Sequence, residues 1–65
     1  MIIEDLNHYI GKPKSELESF LKDNFHTLRI IKRDGIPMVC TRDVNRDRLN
    51  VEVVENLITA IKGFG

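Results

Sequence analysis

Apolar and polar residues alternate most cleanly in Arg48-Leu49-Asn50-Val51-Glu52-Val53. Successive side chains of a strand point to opposite faces, so Leu49, Val51 and Val53 share the core side and Arg48 and Asn50 share the other. A shorter run, Thr27–Lys32, combines β-branched and aliphatic residues with Leu28 and Ile30 on one face, and it also predicts a strand. Glu55-Asn56 supplies a turn, after which Leu57–Lys62 returns as an antiparallel strand. Gly63-Phe64-Gly65 closes the chain, with Phe64 as a last apolar plug.

Helical spacing is confined to the first third of the chain. Leu17, Phe20 and Leu21 stand at i, i+3 and i+4 and form one apolar stripe, while Glu16, Glu18, Ser19 and Lys22 point away from it. Two start signals compete. Pro13, after Gly11-Lys12, suits a first helical turn, where its missing N–H has no partner to lose. Ser15 followed by Glu18 has capping-box spacing. Asp23-Asn24 ends the helix, Asn being tolerant of a left-handed cap. Before it, Ile2/Ile3, Leu6 and Ile10 resemble one helical face without a clear cap, and they predict a short helical turn or an extended arm.

Between the first two strands the periodicity disappears. Asp34-Gly35 is a turn signal, and Asp34–Asp47 continues without helical or strand pattern until the alternation resumes. A loop this long is uncommon in a compact domain and usually functional. The expected order is helix, strand, long loop, strand, strand. If the first two strands are parallel neighbours, the loop is their crossover, since parallel strands need about a dozen connecting residues. That gives an α+β fold, a single helix packed on a small mixed β-sheet, with an extended exposed binding loop between two parallel strands. Residues 1–65 make one domain.

Composition narrows the partners. Ten Lys+Arg offset ten Asp+Glu, so no net field draws nucleic acid or an anionic membrane. Arg29, Lys32 and Arg33 lie close to acidic residues and have no interleaved aromatic platform for bases. No basic stretch followed by an apolar run marks a signal peptide, and no apolar segment reaches the roughly 18 residues of a membrane span. The lone Cys40 cannot pair within the chain, which fits a reducing compartment such as the cytoplasm. Cys40, His8, His26 and Asp43 lack a motif that would activate a thiolate, so no enzyme is expected. Two histidines without paired cysteines give no metal-ligand spacing, and no cofactor is implied.

Thr41-Arg42-Asp43-Val44-Asn45-Arg46-Asp47-Arg48-Leu49-Asn50-Val51 is the most distinctive run. Together with Gly11-Lys12 ahead of the helix and the glycine at residue 65, it resembles the potato inhibitor I family of serine-protease inhibitors, which includes eglin, and especially its small bacterial relatives. The resemblance covers Ile10 to Gly65. It implies that Arg42–Asp43 is the bond presented to a protease, with Thr41, Cys40 and Val39 on one side and Asp43 and Val44 on the other. Arg48 matches the family's bracing arginine. Asn50 stands where plant members carry a second arginine and bacterial relatives carry Asn. At Asn45 and Val44 the usual residues are Arg and an aromatic.

On that resemblance the chain is a substrate-like inhibitor. From the face they share, Arg48 reaches the Asp43 carboxylate or the Thr41 hydroxyl and carbonyls, and Asn50 donates a further hydrogen bond over a shorter reach. Arg42, long and always charged, suits a pocket with an acidic floor, hence trypsin-like targets. Without the resemblance, the alternating charges of Arg42, Asp43, Arg46, Asp47 and Arg48 read as solvated surface. The alternative is a non-inhibitory protein–protein interaction module on the same scaffold, alone or as a homo-oligomer.

Overall fold

A computed structural model describes residues 3–39 and 43–65, with side chains from Leu6 onward. Cys40, Thr41 and Arg42 lie outside the described residues. A 3-10 helix, Ile3–Tyr9, leads into α1 (Lys14–Asp23), β1 (Thr27–Arg33), β2 (Ile36–Pro37), β3 (Arg48–Val54) and β4 (Leu57–Phe64). The four strands form one mixed sheet in the order β2-β1-β3-β4. β1 and β3 run parallel, and the other two pairings are antiparallel. This is the α+β arrangement expected from the sequence, with one α-helix packed on the sheet.

The alternation in β3 does what its period predicts. Leu49, Val51 and Val53 are fully covered, and with Leu6, Leu17, Leu21 and Ile58 they make up the core. Tyr9, Leu28, Ile30, Ile61 and Phe64 pack around that cluster. Phe20 is a correction. It sits at the rim at 36% exposure, its ring 5.7 Å from that of Tyr9. Leu17 and Leu21 alone face the sheet squarely enough to be buried.

Neither helix-start signal describes the observed N-terminus. Pro13 is the N-cap residue itself, with φ −57° and ψ 140°, and no side chain caps the helix. The Lys14 N–H donates to the Asn56 carbonyl at 2.8 Å, so the turn before β4 satisfies one of the helix's first backbone donors, and Ser15 lies inside the helix rather than at its cap. At the other end the left-handed residue is Phe25 (φ 62°), not Asn24 (φ −108°). Asn24 is held back by its own bonds: its amide Nδ2 donates to the Phe20 carbonyl at 2.8 Å and its N–H to that of Leu21 at 3.0 Å.

Two tight turns share the left-handed geometry that type I′ hairpins require. Asp34 and Gly35 have φ 52° and 81°, and Glu55 and Asn56 have φ 51° and 65°. The Asp34 carboxylate accepts the Glu55 N–H at 2.7 Å, tying one turn to the other. Asp34-Gly35 therefore closes a hairpin rather than opening an unstructured loop. The short strand β2 pairs Ile36 with Arg33 and Pro37 with Lys32, and Met38 N–H extends the ladder to the Ile31 carbonyl at 2.9 Å. The loop proper thus spans residues 38–47.

Candidate functional site

The connection from β2 to β3 leaves the sheet at Met38 and returns at Arg48. Its described apolar members turn outward: Val39 is fully exposed and Val44 is 79% exposed. Isolated apolar residues at a surface need no explanation, but two β-branched ones flanking the same loop are at least available for contact. The returning arm is built locally. Asn45 Oδ1 accepts the Asp47 N–H at 3.0 Å, an Asx turn, and the Asn45 carbonyl accepts the Arg48 N–H at 3.1 Å. The Asp47 carbonyl then accepts the Thr27 N–H at 2.8 Å, which clips the end of the loop to the start of β1.

Arg48 is the link between loop and sheet. Strand alternation sends Leu49 into the core and turns Arg48 and Asn50 to the opposite face. The Arg48 guanidinium donates through Nη1 to Asp43 Oδ2 at 3.3 Å and through Nη2 to the Asp43 carbonyl at 3.0 Å. Its Nε donates to the Gly65 carbonyl at 3.2 Å. One planar group therefore holds the side chain and the backbone of Asp43, and a single cation on a stem could not do so with the same geometry. The Arg48 side chain is 14% exposed and that of Asp43 58%, so the pair straddles the boundary with solvent.

Asn50 acts one step further from the loop. Its Nδ2 donates to the Gly65 carbonyl at 3.1 Å, and its Oδ1 accepts from Arg29 Nε at 2.8 Å. Its bonds among the described residues thus go to Gly65 and Arg29 and not to the loop itself. Arg29 Nη2 adds a longer contact to the Gly65 carbonyl at 3.4 Å. Gly65 is brought here by β4, whose last residues pair Gly63 with Asn50 and Phe64 with Leu49. The pairing with β3 skips Lys62, a bulge at which Gly63 adopts φ 119°. The Gly65 N–H donates to the Arg48 carbonyl at 2.9 Å, so Gly65 meets Arg48 through both of its backbone groups.

Arg29 and Gly65 are the members that sequence reasoning did not assign. They stand 36 residues apart and meet only through the parallel register of β1 with β3 and the antiparallel return of β4. The usable signal was positional. If Thr27–Lys32 lies beside Arg48–Val53 in parallel, Arg29 falls opposite Asn50.

Beside this network, His26 packs its ring against Phe64 with centroids 5.2 Å apart. Its Nδ1 makes no hydrogen bond among the described residues and lies 3.8 Å from Asp47 Oδ1. Of the residues expected to face a protease, Val39, Asp43 and Val44 are on the loop as described, and Cys40, Thr41 and Arg42 fall outside the described residues. Among the described residues no three of His, Cys, Asp and Glu come together as metal ligands. No helix among them is long and apolar enough to cross a membrane.

No family model matches the chain. No solved structure matches it either. Among curated proteins, an uncharacterized protein of Acanthamoeba polyphaga mimivirus is 40% identical over 43 residues, which is 66% of this chain. The chain spans 13% of that protein's length.

Proposed function

We propose that this protein is a substrate-like inhibitor of serine proteases that offers the Arg42–Asp43 bond on a braced loop. The observation that carries the reading is the grip of Arg48 on Asp43, through carboxylate and main-chain carbonyl together. A protease attacks one carbonyl of an extended segment with its serine and expels the amine. The residue that carries that amine here is Asp43, and Arg48 ties it to the sheet. A held amine stays beside the acyl carbon at high effective concentration, so religation competes with hydrolysis. A loop already in its bound shape also loses little conformational freedom on docking.

Specificity follows from residue type. Arg42 calls for a pocket with an acidic floor, and the exposed Val39 and Val44 are suited to shallow apolar contacts on either side. The test is a titration of trypsin with the purified protein, alongside Arg42→Ala. The wild-type chain should inhibit at micromolar concentration or below and resist digestion. Arg42→Ala should lose inhibition with an unchanged melting curve. Rapid cleavage of the wild-type chain after Arg42, without inhibition, would refute the reading.

A second reading is a non-inhibitory interaction module that uses the same scaffold, as a monomer or a homo-oligomer. It is favoured by Phe25, which stands 93% exposed in a left-handed conformation that bulky residues rarely adopt. Light scattering coupled to size exclusion separates the two readings, because a one-to-one inhibitor does not require self-association.

A further inference from the structure

We infer that Arg29 is a positioning residue for the loop, acting from β1, ahead of the loop, on the network that holds its exit. This rests on the inhibitory reading for its effect on a protease, but not for its effect on loop order.

The argument starts from hydrogen-bond chemistry. A guanidinium only donates, so Arg29 Nε can pair with the Asn50 amide solely through Oδ1, and it does so at 2.8 Å. That choice fixes the amide's orientation and turns Nδ2 toward the Gly65 carbonyl, 3.1 Å away. Reversed, the amide would set Oδ1 against that carbonyl, two acceptors facing each other. Arg29 thus selects which way Asn50 points, and Asn50 in turn holds Gly65. The Gly65 carbonyl also accepts from Arg48 Nε, and the same guanidinium carries Asp43. The chain of contacts runs Arg29, Asn50, Gly65, Arg48, Asp43, with every link a donor facing an acceptor.

The topology gives this chain its purpose. β1 precedes the loop and β3 follows it, and Arg29 stands directly opposite Asn50 in their parallel register. Among the described residues, the braces at Asp43 other than Arg29 come from β3 and the end of β4, both after the loop. Arg29 fastens β1, which precedes the loop, to the same cluster. Arg29 is half-buried, so its bonds are shielded better than those of a surface arginine. Among the described residues, Arg48 touches the loop and Arg29 reaches it through Asn50 and Gly65.

Three variants test this: Arg29→Lys, Arg29→Met, and the exchange Arg29→Asn with Asn50→Arg. Lysine keeps the charge and most of the stem but not the fork that serves Asn50 and Gly65 together. Amide hydrogen exchange at Asp47 and Arg48, whose N–H groups are bonded within the returning arm of the loop, reads loop order with no protease present. Both single variants should exchange roughly tenfold faster there, while the slowest core amides, which report global unfolding, change less. The exchanged pair should recover most of the protection, since it returns a guanidinium to the same cross-strand position. In trypsin digests, the single variants should be cut faster than wild type and the exchanged pair should resist again. If loop and core amides accelerate equally in Arg29→Lys, Arg29 is only structural and the inference fails. It fails too if the loop amides do not change. A wild-type chain that does not inhibit trypsin, but whose loop amides follow this pattern, overturns the proposed function and leaves the role of Arg29 standing.

Discussion

Replacing Arg48 by methionine isolates the fork that joins loop to sheet. Methionine keeps an unbranched stem of similar reach, so packing along the strand is largely retained while three donated bonds are lost. The two bonds to Asp43 face solvent, with the carboxylate 58% exposed, and such pairs contribute only about 0.2–1 kcal/mol. The bond to the Gly65 carbonyl is better shielded. A charge-assisted bond contributes up to about 1.5–3 kcal/mol. Asn50 and Arg29 still serve that oxygen, however, so it is not left an unpaired acceptor and the low end applies. The sum is a loss of about 2 kcal/mol. In a domain of this size that lowers Tm by about 8–16 °C. The chain has no tryptophan, so urea or thermal unfolding is followed by far-ultraviolet circular dichroism.

A double-mutant cycle with Asp43→Ala then separates the side-chain pair from the rest. The coupling should be about 0.2–1 kcal/mol at low salt and shrink as salt screens it. The functional signature is different in kind. On the proposed inhibitory function, Arg48→Met should shift the chain from inhibitor toward substrate and speed cleavage far more than its modest stability loss explains. Additive energies in the cycle, together with unchanged resistance to trypsin, would refute the claim that Arg48 braces the loop.

Two further substitutions test the backbone that supports the site. Gly63→Ala forces a side chain into φ 119° at the β4 bulge and should cost at least about 1–2 kcal/mol, seen as a fall in Tm of about 5–10 °C. An unchanged Tm would mean that the bulge relaxes freely and does not set the position of Gly65. Phe25→Asn should do the reverse. Phe25 is 93% exposed and left-handed, so asparagine sacrifices no packing and relieves strain by about 0.5–1 kcal/mol, raising Tm by about 3–6 °C. A loss of stability there would show that the ring has a packing role its exposure conceals.

What could be read from the sequence was what depends on near neighbours. The alternation of β3 and the left-handed turn residues Asp34-Gly35 and Glu55-Asn56 act over a few positions, and the structure follows them. Where a distant group intervened, the local signal misled. The capping box Ser15–Glu18 is unused because the helix already begins at Lys14, whose N–H is held by the Asn56 carbonyl, and Ser15 falls inside it. The left-handed residue moved from Asn24 to Phe25 because Asn24 bonds back into the helix. Ile36-Pro37 pairs as a strand only because the Asp34-Gly35 turn folds it onto β1. The same division holds at the site. Arg48 and Asp43 lie five residues apart and were legible, whereas Arg29 and Gly65 enter through sheet register and were not.

The buried residues fall on both sides of the loop: Leu6, Leu17 and Leu21 before it, Leu49, Val51, Val53 and Ile58 after it. The β3–β4 hairpin is local and closes quickly, but the parallel β1–β3 pair must wait for a long segment to close. Arg29 can reach Asn50 and Gly65 only when that slower pairing brings the two halves of the core together. The link from β1 to the cluster that holds Asp43 should therefore be completed late in folding. On the inhibitory reading proposed above, a protease would remove immature or damaged copies and spare the finished ones, and the target enzyme would double as a quality filter.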